Sequence, residues 1–426
     1  MKKSMGILFL GVVFLCSFMC SCKNDGDKEG FTIRHEEEST GYDNSVSVNV
    51  EDMDYNYMET LYYYVTGYDN KVYSCETTGN GEKLLYVADL EEGIQKPLCN
   101  KKDCKHKGEK CGAFLAASPN YVKGIKAVND GIYALIANHT DNSLMLIKIP
   151  LNGGEHEDLG YIYKKGICKN VGVSGHYMQM ADGYVYYILS EELTEDVPNL
   201  DDNGNPTGGF TSVPIEKKLF IYRYKLDGSQ KAEIILNEDV SEDGYSFTYS
   251  IYDGYLYYYN GGCKRIQLDT GLVEAVGENE HYITGYNNVG KTLAYAEAGE
   301  EFIYYMYDQV KDTKALLEES GLDEGKIQIL KSFRIGGTKV FYADDKYIYL
   351  CEPFDGITFV FDLDFKYVDY MDYRVYGTIG NNIISVEDEY LVAISRDKMF
   401  DNNPDKYKLI KRKGTAKNEW LTEITG

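Results

Sequence analysis

The chain has 426 residues and a formal net charge of −24, from 68 acidic against 44 basic residues. That balance excludes a nucleic-acid binder and describes a solvated particle that like-charged polymers avoid. Tyrosine numbers 41 against one tryptophan, and glycine 42 against eight prolines. Tyrosine suits half-buried strands and glycine the turns between them, so the composition points to an all-β protein.

The N-terminus reads as a leader. Lys2 and Lys3 precede an apolar or small run over residues 5–19, which is short for a membrane span and right for a signal peptide. Met19-Cys20-Ser21-Cys22 follows the pattern of a lipobox, apolar at −3 and small just before the cysteine. Cys16 and Cys20 follow Leu15 and Met19, both poor residues before a cut, so Cys22 is the expected lipidation site. An uncleaved anchor and an ordinary signal peptide are the alternatives. The expected division is a signal peptide over 1–21, a lipidated cysteine with a polar tether over 22–50, and one folded domain over 51–426. Acyl chains on Cys22 would hold the domain at a bacterial envelope membrane, outside the cytoplasm.

The first strand pattern falls at 58–87, "METLYYYVTGYDNKVYSCETTGNGEKLLYV". Directly after it comes "PLCNKKDCKHKGEKCGAF", residues 97–114, with the spacing C-x4-C-x-H-x4-C. Cys99, Cys104, His106 and Cys111 form the Cys3His donor set of closed tetrahedral zinc sites, although such sites usually begin with ligands two to four apart. Lys101, Lys102, Lys105, Lys107 and Lys110 surround the set and favour thiolate over thiol, which serves metal binding and disulfide formation equally. Three states stay open for the segment: a structural metal, a disulfide with one leftover thiol, or reduced inert thiols. Four protein ligands would leave no open position, so a catalytic metal is not expected. Whichever state holds, the expected role is to pin a loop at a blade edge. Cys75, Cys168, Cys263 and Cys351 lie in or beside tyrosine-rich strands and are expected to act as small apolar residues.

Further along, one phrase recurs: an acidic residue with Gly or another small residue, then Tyr and alternating apolar residues. It occurs as "NDGIYALI" (129–136), "ADGYVYYIL" (181–189) and "YDGYLYYYN" (252–260). Weaker copies are "VGKTLAYA" (289–296), "DDKYIYLC" (344–351) and "EDEYLVAI" (387–394). Each is followed by a strand, a tight turn and a second strand, with "LNGG", "LDGS" and "LDTG" supplying the positive φ of hairpin turns. Repeated units of about four short strands predict a β-propeller of about six or seven blades, with a pair of β-sandwiches as the alternative. Two segments interrupt the repeat. Residues 190–218 are polar and hold three of the eight prolines, which predicts a long loop inserted between two strands of one blade. Residues 308–326 have helical composition with Gly321 as the stop, which predicts a short helical insertion.

The "DGYLYY…RIQLDTG" type of repeat is similar to the propeller module of low-density-lipoprotein-receptor-related proteins. A group of bacterial surface lipoproteins is more similar still: there a lipobox precedes such a propeller, and an early blade ends in a segment like 97–114. The resemblance covers roughly residue 55 to the C-terminus. It implies a propeller on a lipid anchor at the cell surface, and no activity is established for that group. The tryptophan that receptor propellers carry in the motif is missing here, so their ligand-binding roles do not transfer.

Other chemistry is sparse. His35, His139, His156, His176 and His281 have no partner in sequence, and neither "GxSxG", "HExxH" nor a P-loop occurs. "NLDDNGN" (199–205) imitates the start of a calcium loop, but position twelve is Phe210 rather than the bidentate glutamate. Tyrosine runs such as "LYYYV" are expected to pack between blades, a minority lining a binding surface at the central funnel. The expectation is therefore a binding or interaction module for a glycan, peptide or protein ligand, without enzymatic activity. A polysaccharide-processing glycosidase or lyase, and a sensor or accessory subunit of a surface complex, are the alternatives.

Overall fold

Between residues 65 and 411 the computed structural model describes all but 109, 165–170, 175–177, 202–204, 243, 245–248, 277–281, 287–290, 299–300, 309, 333–339, 352–356, 387–389 and 402–406. The leader, Cys22 and the tether lie outside the described residues, as do His35, Cys168, His176 and His281. The described chain forms seven antiparallel sheets, each of four strands in simple sequence order except for one extra strand in the first and third. They span 65–97 (blade I, joined by Phe114–Ala116), 120–163 (II), 171–239 (III), 250–275 (IV), 282–316 (V), 340–371 (VI) and 377–411 (VII). Sheets of this size, in tandem and packed face to face, make a seven-bladed β-propeller. The expected all-β architecture is present, with the blade count fixed at the upper expectation.

The repeated phrase has a physical basis in two places. Its acidic and glycine residues form the turn between the first two strands of a blade: Asp182 and Gly183 have φ of 50° and 78°, and Asp253 and Gly254 have 51° and 76°. Those are the two successive positive φ values of the hairpin turn whose twist matches the strands. The tyrosines then alternate across the following strand. In Tyr255–Tyr259 of blade IV, Leu256 and Tyr258 enter the core shared with blade III, while Tyr257 and Tyr259 cluster on the opposite face. Both faces are buried because a neighbouring blade covers each, which is why the strands read as nearly unbroken apolar runs.

Burial of so many phenols requires hydroxyl partners. The turn carboxylates supply some: Tyr133 donates to Asp130 at 3.1 Å in blade II, and Tyr349 donates to Asp344 at 2.9 Å in blade VI. Asp344 also accepts from Arg396 of blade VII at 3.0 Å, so the same carboxylate ties two blades together. At the other end of the ring, blade VII packs on blade I through Ile379, Ile384, Leu391, Ala393 and Ile410 against Val65, Val72, Ala88 and Leu90. Among the described residues each blade is made from one continuous stretch of chain, and no strand is exchanged at this junction.

Both insertions depart from their expected form. Residues 190–218 do lie between two strands of one blade, but 190–200 and 206–218 are strand themselves. The second and third strands of blade III run on as Tyr184–Leu200 and Pro206–Lys225, paired through Pro198↔Phe210 and Leu200↔Pro206. Cross-strand hydrogen bonds from Thr211 to Asn199 and from Ser212 to Asp196 hold this arm, and its polar composition concealed it. The helical insertion is shifted. Residues 313–316 form the last strand of blade V and 317–319 a single 3-10 turn, and the helix, α1, is Glu324–Ser332. Gly321, at φ 88°, precedes the helix instead of ending it, and Asp323 caps it by accepting the Lys326 N–H at 3.0 Å. Leu322, Ile327 and Leu330 join the core between blades V and VI. Among the described residues, no helix is long and apolar enough to cross a membrane.

Candidate metal centre

The loop 98–113 leaves the outer strand of blade I, Ile94–Pro97, and returns as the short strand Phe114–Ala116, which pairs with Lys83–Asp89. Both ends of the loop are anchored in the sheet. The Leu98 N–H donates to the Leu85 carbonyl at 2.9 Å, and the Leu85 N–H donates to the Ala113 carbonyl at 2.6 Å. Between these anchors the chain reverses sharply, with positive φ at Asp103 (59°), His106 (53°) and Gly108 (71°).

These reversals bring the four expected residues together. One donor atom each from Cys99, Cys104, His106 and Cys111 lies within 4.8 Å of all the others. Cys111 Sγ and His106 Nδ1 are 3.5 Å apart. A tetrahedron with metal–sulfur bonds of ~2.3 Å and metal–nitrogen bonds of ~2.0 Å has a sulfur–nitrogen edge of about 3.5 Å. The donor spacing fits a zinc ion, and Nδ1 is the imidazole atom turned to the cluster. The unusual C-x4-C-x-H-x4-C spacing closes because the chain turns back at 103, 106 and 108, not because of any helix or standard knuckle. No disulfide joins any two of the six described cysteines. Cys263 and Cys351 are buried strand residues as expected, and Cys75 is packed against the core of blades I and II.

The electrostatics differ across the cluster. The His106 backbone N–H donates to Cys104 Sγ at 3.4 Å and, with the neighbouring thiols and Lys101, lowers the Cys104 pKa below the ordinary thiol value. Cys111, packed with Leu84, Tyr86, Ala113 and Phe114, is instead pushed up to about 12 by burial, in part offset by the backbone N–H groups of Ala113 and Phe114. A divalent cation at the shared centre would supply the charge that ionises such a buried thiol.

Residues the sequence did not point to complete the site. The turn 150–156 of blade II lies directly under the loop. The Asn100 N–H donates to the Gly153 carbonyl at 3.1 Å, His156 Nε2 lies 3.3 Å from the Gly112 carbonyl oxygen, and Lys101 pairs with Glu155 at 2.6 Å. The approach is so close that a Cβ on Gly112 would sit 2.2 Å from the Gly153 carbonyl oxygen. His156 and Gly153 are more than forty positions from the cysteines; only the "LNGGEH" turn itself, rich in glycine, hinted at a close contact. His139 is far simpler: it stacks on Tyr121, ring centroids 3.9 Å apart. Of the calcium-like stretch, Asn199 accepts from Thr211, and Asp201 accepts from the Asn205 N–H at 2.8 Å, so both serve the arm of blade III.

No family model matches the chain. Comparison with curated protein sequences finds no match. Solved structures with similarity include an acylaminoacyl peptidase of Pyrococcus horikoshii at 11% identity and a TM-score of 0.46, covering 84% of this chain and 53% of that one. A Mycobacterium tuberculosis puromycin-hydrolyzing peptidase matches at 10% identity and 0.45, covering 88% and 56%. A chain of a nidogen/laminin complex matches at 13% and 0.36, covering 71% and 95%. The chain spans about half the length of the two peptidases, and the likeness is one of fold alone. It still corrects one expectation: absence of enzymatic activity does not follow for a chain whose structural neighbours include several peptidases.

Proposed function

We propose that this chain is a lipid-anchored envelope protein, held through Cys22, whose propeller is a binding scaffold stiffened by one structural zinc ion on Cys99, Cys104, His106 and Cys111. The convergence of three thiols and an imidazole within 4.8 Å carries the zinc part of this reading. Four protein donors fill a tetrahedral shell, so the ion would act on folding energy and not on a substrate. Its position supports that role, because the cysteine loop rests on blade II through Gly153, Glu155 and His156 and joins two blades of the ring. The binding role is supported by a rigid ring from which one long arm projects, since loops and arms on such frames carry recognition. The surface lipoproteins with similar repeats support the location.

One preparation tests both parts. Full chain expressed in a bacterium that processes lipoproteins should fractionate with membranes and carry about one zinc per chain, whereas Cys22→Ala should move it to the soluble envelope fraction with zinc unchanged. Cys104→Ser should lose the zinc and stay on the membrane. Metal-free protein with three reactive thiols in loop 98–113 would overturn the zinc reading, and a Cys22→Ala chain still bound to membranes would overturn the anchor.

A further inference from the structure

The arm of blade III is the most anomalous surface of the described molecule. The neighbouring strands are described only as far as Val171, which pairs with Leu193, and Asp239, which pairs with Lys218, so among the described residues 194–200 and 206–216 form a two-stranded ribbon with no third strand. Seven residues at ~3.4 Å each project it about 24 Å beyond the blade. Directly opposed residues share a face, so Pro198, Leu200 and Phe210 lie together, with Phe210 67% and Leu200 60% exposed. Contiguous exposed apolar side chains on a rigid element mark a contact surface. Prolines 198, 206 and 214 remove donors along the ribbon, which disfavours addition of another strand and leaves the face as the means of contact.

Charge selects the partner. Glu195 and Asp196 are exposed on the arm, so two arms laid on each other would oppose like charges. The complementary surface is on the same chain: Lys102, Lys105 and Lys107 are exposed on the cysteine loop of blade I and make no ion pair among the described residues. In a chain of net charge −24 this is a concentrated basic patch. The arm is solvent-exposed, so it does not lie on its own loop. We propose that the arm of one copy docks on the lysine-bearing loop of a second copy, and that a two-fold axis repeats the contact, giving a closed dimer. Isologous pairing of two different patches needs only that each copy present both. Two such contacts double the buried area, and the fixed geometry of loop and arm limits the entropy lost on docking. This goes beyond the zinc reading and needs only that the loop keep its shape.

Light scattering on the full chain in mild detergent, with zinc measured alongside, tests it. Wild type should have the mass of two chains, and raising salt from about 50 to about 500 mM should weaken the dimer by about tenfold or more. Leu200→Ser with Phe210→Ser, which leaves the metal loop untouched, should give monomers. Lys102→Gln with Lys105→Gln and Lys107→Gln, which removes positive charge without adding negative charge beside the thiols, should do the same, with the zinc content read in the same sample. Mixing the two monomeric variants is decisive: the intact loop of one and the intact arm of the other restore one of two contacts, so association should return at intermediate strength. A monomeric wild type at ~50 µM, a dimer that survives the arm variant, or a mixture that stays monomeric would overturn the proposal.

Discussion

Glu191 shows how much a single side chain can weigh inside a blade interface. It is fully buried between blades II and III, accepts from Tyr163 at 2.8 Å through Oε1, and has no hydrogen-bond partner for Oε2 among the described residues. Burial raises its pKa from 4.5 to about 7. The unfolded chain ionises this group near the ordinary value, so its full contribution to stability is present below about pH 4.5 and is lost as pH climbs through about 7. That loss is on the order of 3 kcal/mol between about pH 4 and about pH 8. Glu191→Gln should flatten this part of the pH dependence in denaturant titrations; an unchanged slope would mean that the carboxyl is not buried as described. Nothing in "ILSEELTED" distinguishes Glu191 from Glu192, because only the neighbouring blade decides which one is enclosed. The metal donors were legible for the opposite reason: four residues of two uncommon types crowd thirteen positions, and the chemistry of the set needs no knowledge of the fold.

At the scale of elements, the docking of the cysteine loop on blade II depends on a contact that admits no side chain. Gly112→Ala places a methyl group 2.2 Å from the Gly153 carbonyl oxygen, so the loop must lift from the turn. The expected cost is about 2 kcal/mol or more, with zinc released to a chelator faster than from wild type. Thermal unfolding and a chromophoric chelator read the two effects, and retention of both at wild-type values would separate the loop from blade II. Blade strands and their turns were readable because Asp-Gly and Asn-Gly signals bracket short runs of tyrosine. The arm was not, since Thr, Ser, Asn and Asp on an exposed ribbon have the composition of a loop, and only pairing across the ladder shows the strand. The helix was misplaced for a related reason: Gly321 with positive φ suits the residue after a helix and also the bend before a cap, and Asp323 decides between them.

For the whole molecule, the junction between blades VII and I is the one place where the ring is closed without chain continuity. Side-chain packing carries it, with Ile384 fully buried there. Ile384→Ala should cost about 3 kcal/mol and expose residues 377–411 to limited proteolysis before the other blades. A cost below ~1 kcal/mol would show the junction to be loosely filled. Since, among the described residues, no sheet borrows a strand from the far end of the sequence, the frame is modular in chain order as well as in shape. An in-frame duplication or deletion of one repeat would leave every ladder complete and would ask only that the remaining wedges adjust their angles. The cysteine loop and the arm each lie within a single repeat, so such a change elsewhere in the ring would leave both of them whole.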